Sequence, residues 1–112
     1  MNINISINNL IYNDIEVAKG FYSRLIGLID RKYLNNNQGL LLKKCKSVHT
    51  FFMKIPIDIV YLDKNYKILF FETLNPWRVG RFIKGTKHIL ELKKGESLNM
   101  RYGDYIKFID EC

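Results

Sequence analysis

Asp58 is the residue whose position most needs a chemical explanation. It stands in Ile57-Asp58-Ile59-Val60-Tyr61-Leu62, a run of strand formers. Alternation along a strand puts Asp58 on one face with Val60 and Leu62, and Ile57, Ile59 and Tyr61 on the other. A carboxylate among apolar neighbours is costly unless it is hydrogen-bonded or paired. Two roles would satisfy it. One is structural, as acceptor for a backbone turn or an arginine; the other is functional, as general base or ligand anchor. The structural role is the commoner, because buried polar groups are usually satisfied ones.

His49 follows Cys45 by four residues. Cys-x-x-x-His supplies two metal ligands, short of a tetrahedral set, and the only other His and Cys are His88 and the terminal Cys112. As a nucleophile Cys45 would need a lowered pKa, which Lys44 and Lys46 favour, and a base within bonding reach, which spacing alone does not supply. The plain reading is a small buried thiol and a histidine bonded to a carbonyl or carboxylate, with no metal and no cofactor. Trp77, the single tryptophan, sits in Pro76-Trp77-Arg78 directly after a strand. An aromatic and an arginine in a loop make a binding hot spot. They also plug the end of a barrel, ring buried and guanidinium in water. Glu91 in Leu90-Glu91-Leu92 reads as an outward strand charge. No phosphate loop, dinucleotide fingerprint, nucleophile elbow or paired zinc knuckle is present.

The elements that must position these residues are mostly short strands. Residues 2–7 alternate strictly, and Asn8-Asn9 break them. Asn13-Asp14 reads as a helix cap, with Ile15, Ala18, Phe21, Tyr22, Leu25 and Ile26 forming one helical stripe and Gly27 near its end. Strands follow at 40–42, 48–53, 57–62, 68–74, 89–92 and 105–109, with 57–74 a hairpin turning at 63–67. The expected fold is mainly β (α+β): one small, barrel-like, mostly antiparallel sheet with one N-terminal helix, in a single domain over residues 1–112. Closure would also remove exposed strand edges.

Composition bounds the function. Two cysteines in 112 residues exclude a disulfide scaffold, and 47% hydrophobic content excludes a disordered tail. No apolar run is long enough to span a membrane. The start shows no signal peptide, which reads as cytoplasmic. The net charge of +7 invites a nucleic-acid partner. Yet Lys outnumbers Arg, Ile, Asn, Tyr and Phe are abundant, as an AT-rich genome produces, and the lysines scatter along the chain, densest at Lys43, Lys44 and Lys46. A solvated basic surface explains that without nucleic-acid binding.

The stretch His49 to Met53, Pro56-Ile57-Asp58 and Leu62-Asp63 resembles the core signature of the family known as domain of unknown function 192. Gly27-Leu28 with Arg31, Gly39 to Leu42, Pro76-Trp77-Arg78, Leu90-Glu91-Leu92 with Gly95, and Gly103-Asp104 resemble its flanks, from about Ala18 to Ile106. The resemblance implies one compact β-rich, barrel-like unit with no assigned activity, in a family with some envelope-associated relatives beside pilus or secretion genes. Two positions depart from it. Tyr66 and Asp30 stand where relatives often have Gly. Either Asn65 takes the left-handed position in the hairpin turn or that loop differs. The tight backbone approach that Gly would allow is not expected at Asp30.

Lacking a complete catalytic set, the sequence points to a non-enzymatic binding or accessory module for a protein or small ligand. Its candidate residues are His49, Thr50, Asp58, Trp77 and Arg78. The alternative is a small ligand-binding barrel or enzyme with Asp58 and His49 lining one pocket.

Overall fold

The computed structural model describes residues 2–19 and 34–109. Seven strands form one sheet: β1 (Asn2–Ile7), β2 (Leu10–Lys19), β3 (Gln38–Lys43), β4 (Ile57–Leu62), β5 (Ile68–Leu74), β6 (His88–Lys93) and β7 (Lys107–Ile109). The spatial order is β5-β4-β6-β3-β2-β1-β7. All ladders are antiparallel except β2 with β3. The neighbouring strands β4, β6 and β3 read as largely apolar runs because both of their faces are covered, and every residue of β4 is buried.

Alternation sorts the core as the β4 pattern requires. Val60 and Leu62 join Ile5, Ile7, Tyr12 and Ile15 in one cluster, while Ile57, Ile59 and Tyr61 join Leu40, Leu42 and Ile89 in the other. Strands from opposite ends of the sheet share the first cluster, so the sheet curls around it. The second cluster lies on the convex face, where Val48 and Met53 of the β3–β4 connection pack onto it. Glu91 belongs to this convex face and is buried, not an outward charge. Alternation places it opposite Leu90 and Leu92 correctly, but that side is a second core rather than water.

The sheet does not close into a barrel, since among the described residues no ladder joins β5 to β7. One isolated bridge, Lys67↔Tyr105, ties the two edges. Around it, the Ile68 N–H donates to the Asp104 carbonyl (2.7 Å), Gly103 to Ile68 (2.9 Å) and Ile106 to Tyr66 (3.0 Å). Beyond that clasp, the Tyr102 ring stacks on both Phe70 and Phe71. Those side chains leave β5 on opposite faces, so Tyr102 lies against the free edge, where it blocks pairing with another strand.

Among the described residues there is no α-helix, and one 3-10 turn at Glu96–Asn99. The expected helix is overturned over residues 13–19, which belong to β2, while its remainder from Gly20 to Gly27 lies outside the described residues, as does Asp30. The physical reason is that β2 is buried on both faces over these residues. Ile15 lies in the concave core and Ala18 in the convex one, so apolar residues three apart imitate a helical stripe while facing opposite ways. β2 also carries a bulge. Ile3 pairs with Ile15 but Ile5 pairs with Tyr12, so β2 spends three residues where β1 spends two, and Tyr12 and Ile15 turn to the same core. The expected strand at 48–53 is likewise absent: those residues form one isolated bridge, His49↔Val79, and a turn.

Candidate functional site

Two connections cover the convex face and carry four of the five candidate residues: residues 44–56 between β3 and β4, and residues 75–87 between β5 and β6. They run antiparallel, tied from end to end. The Cys45 N–H donates to the Lys87 carbonyl (2.9 Å), Gly80 to Val48 (2.8 Å) and Thr50 to Arg78 (2.8 Å).

Thr50 is the knot between them and is fully buried. Its hydroxyl donates to the Asn75 carbonyl at 2.6 Å and accepts the Arg78 N–H at 2.9 Å. Asn75 and Arg78 are the first and last residues of the turn Asn75-Pro76-Trp77-Arg78, so the hydroxyl stands where that turn's own hydrogen bond would be. The Thr50 carbonyl accepts from Trp77 (2.9 Å) and from Met53 (3.1 Å), and the latter closes a second turn, Thr50-Phe51-Phe52-Met53.

Both turns place an aromatic residue third, with φ of 66° at Phe52 and 65° at Trp77. That left-handed position normally goes to Gly or Asn. A residue with a Cβ there costs about 1–2 kcal/mol. The two residues are also 61% and 56% exposed, their ring centroids 4.7 Å apart. Phe51 stacks on Trp77 from the other direction at 5.9 Å, and His49 stacks on Phe51 at 4.6 Å. Trp77 is therefore no barrel plug. It stands outward in a four-ring cluster that the chain holds at a cost.

Asp58 faces the other way, into the concave core. Its Oδ1 accepts from the Thr73 hydroxyl at 2.6 Å, and its Oδ2 accepts from the Gly95 and Ser97 N–H groups at 3.0 and 2.8 Å. Thr73 is its partner across the β4–β5 ladder, and Gly95 and Ser97 open the 3-10 turn. The carboxylate pins that turn under the sheet. Asp58 and His49 are not brought together: Asp58 shares its face with Val60, whereas His49 lies in the connection over the convex face, its Nδ1 accepting the Phe51 N–H at 3.2 Å. Cys45 donates its thiol to the Ser47 carbonyl at 3.0 Å, in a connection rather than on a strand. Among the described residues no group of three or more His, Cys, Asp or Glu could hold a metal ion.

Behind the connections, the Tyr61 hydroxyl donates to Glu72 Oε2 at 2.6 Å, which also accepts the Arg81 N–H at 3.1 Å. Burial, then the bond to Glu72, pushes that phenol well above its ordinary range. Gly80 is required beside it, because a Cβ there would meet the Tyr61 hydroxyl and the Val48 side chain.

At the clasp, His88 is buried and stacks face to face on Tyr66 at 4.4 Å, with Phe108 edge-on to Tyr66. Tyr66 itself holds the left-handed φ of 65°, not Asn65. His88 Nδ1 accepts the Lys44 N–H at 3.1 Å, a bond that only the neutral ring can accept. Burial lowers its pKa from 6.5, and Lys43 and Lys87 push the same way. The unfolded chain therefore takes up a proton first as pH falls through about 6.5, while the folded ring resists. Stability at pH 7.5 is expected to decline between pH 6.5 and 5.5. Urea midpoints of the wild type and His88→Gln across that window check this: the decline should shrink in the variant, and parallel curves would refute it.

The sequence profile of the family DUF192, described as "Uncharacterized ACR", matches residues 3–108. The chain belongs to this family. A UPF0127 protein of Pyrococcus horikoshii is 31% identical over 113 residues, covering 96% of this chain and 98% of that one. A crystal structure of a protein of unknown function from Novosphingobium aromaticivorans superposes with a TM-score of 0.80 at 16% identity, over 93% of this chain and 83% of that one. A second, from Sinorhizobium meliloti and provisionally described as a transcription regulator, gives 0.77 at 15%, over 96% of each chain. These structures share the fold of this DUF192 chain. None of these descriptions mentions an envelope or a pilus. Among the described residues, no helix is long and apolar enough to cross a membrane.

Within the DUF192 signature, sequence reasoning finds Thr50, Trp77 and Arg78 but passes over Phe52, half of the exposed pair. The available signal was the pair of turns: Asn-Pro-Trp-Arg after one strand, and an apolar run that Pro56 cuts short before the next.

Proposed function

We propose that this chain acts as one domain, a non-enzymatic binding module whose recognition surface is the Phe52–Trp77 pair with Arg78 beside it. One observation carries the reading: two aromatic residues are held exposed and left-handed at the tips of paired turns, knotted by one buried hydroxyl. Strain of this kind persists where the surrounding structure over-determines it, and it clusters at ligand clamps. Rigid aromatics with an adjacent arginine are also the composition of interface hot spots. Asp58 serves the scaffold beneath, and no observation favours an enzyme built on Asp58 and His49.

The test is a pull-down from the protein's own cells with the wild type and with Phe52→Ala/Trp77→Ala. Partners retained by the first and lost by the second are expected. An unchanged set of partners would remove this surface as the recognition site.

A further inference from the structure

The two connections that carry the aromatic pair hold a charge arrangement that the sequence disguises. Residues 44–56 contain Lys44, Lys46 and Lys54, and residues 75–87 contain Arg78, Arg81, Lys84 and Lys87; neither segment contains an Asp or Glu. All seven cations are exposed. The other eleven Lys and Arg of the chain are matched by eleven Asp and Glu. The whole net charge of +7 therefore resides on two segments lying side by side over one face of the sheet. They are remote in sequence, so the positive charge appears scattered until the fold pairs them. Genome bias raises the lysine content, but it gives no reason for both connections to lack acidic residues. The sheet face beneath them holds the buried Glu91 and also Glu72, whose carboxylate lies 4.0 Å from the Arg81 guanidinium.

We infer that the partner is an acidic protein segment that seats an apolar or aromatic anchor against Phe52 and Trp77 and lays its carboxylates along the cations of the two connections, Arg78 nearest the anchor. This inference rests on the proposed recognition surface and adds the chemistry of what it binds. Charge complementarity would steer encounter and select against basic competitors. The apolar pair would supply the slow dissociation.

Three anionic partners are conceivable, and the geometry separates them. A single-stranded nucleic acid stacks its bases on open ring faces. Trp77 instead meets two other rings, Phe51 at 5.9 Å and Phe52 at 4.7 Å and tilted, so the rings form one knuckle rather than a row of separate flat platforms. A membrane surface accepts protruding apolar side chains of any shape, and a fixed conformation gains nothing there. This pair is fixed at the cost of two left-handed residues and a buried threonine. Pre-organisation of that kind raises affinity only against a partner with a shape of its own, such as a peptide or protein.

The experiment is selection of a random dodecapeptide display library on the full chain, with Phe52→Ala/Trp77→Ala as counter-target. Selected peptides are then measured by isothermal titration calorimetry, alongside a twelve-nucleotide oligonucleotide and vesicles of phosphatidylglycerol. Enrichment of Asp and Glu around a Leu, Phe or Trp is expected. Affinity should fall at least tenfold in Trp77→Ala, and severalfold in Arg78→Glu or when salt rises from 50 to about 300 mM. Enrichment of neutral peptides that still need Trp77 would overturn the charge assignment and leave the recognition surface standing. Peptides that bind the aromatic double variant equally well would overturn both. No enrichment, or tighter binding of the oligonucleotide or vesicles than of any peptide, would overturn the acidic-segment partner.

Discussion

Asp58→Ala is expected to remove about 3–5 kcal/mol of folding stability, the cost of leaving several donors without their buried acceptor at about 1–3 kcal/mol each. Three donors converge on this carboxylate: the Thr73 hydroxyl and the Gly95 and Ser97 amides. Removing it leaves all three without their acceptor, and the two amides then face a fully buried position. Asp58→Asn should lose less, because its amide oxygen can still accept from both N–H groups while its NH2 donates to the Thr73 hydroxyl oxygen. A domain of this size has only about 5–15 kcal/mol to lose, so a large fall in the urea midpoint should follow. Acrylamide quenching of Trp77 in the surviving folded protein should match the wild type, since Asp58 acts on the concave face and Trp77 stands beyond the convex one. A loss under 1 kcal/mol would mean that the carboxylate does something other than hold the fold.

Thr50→Val ranks second, with an expected loss of about 2–3 kcal/mol. The substitution keeps the shape and deletes the hydroxyl, leaving the Asn75 carbonyl and the Arg78 amide aimed at a fully buried side chain that no longer bonds them. Unlike Asp58→Ala, it should also reach the surface. The Trp77 turn loses the group that closes it, so quenching should rise and the emission of Trp77 should shift. Thr50→Ser keeps the hydroxyl and gives up one methyl, about 1 kcal/mol. The order wild type, Ser, Val in both stability and quenching is predicted. Ser falling below Val would show that the methyl, not the hydroxyl, holds the turns.

Much of this was legible in the residues. Strict alternation fixes β1, a run of strand formers fixes β4, and the turn at 63–67 brackets β5; β4 and β5 fall at the expected residues, with Asp58 on the expected face. The N-terminal helix misled because β2 is buried on both faces, so Ile15 and Ala18 are both apolar at a spacing of three while facing opposite cores. The 48–53 strand misled because strand-forming residues there serve a turn and its knot. Glu91 misled because alternation reports which face a residue takes, not whether that face is wet. The candidate site was half legible. Pro76-Trp77-Arg78 announces itself by type, but Phe52 meets Trp77 only through a pairing of segments some 25 residues apart, and so do the cations around them.

The claim at the centre is that Trp77 is held exposed and left-handed for recognition rather than for the fold. The urea unfolding curve of Trp77→Gly, followed by circular dichroism, tests it most directly. Glycine takes φ of 65° without strain. Relief of about 1–2 kcal/mol should offset the removal of the indole from between Phe51 and Phe52. Stability within about 1 kcal/mol of the wild type is predicted. A loss beyond about 3 kcal/mol, the scale of a buried aromatic removed from a core, would contradict the account and return Trp77 to the scaffold.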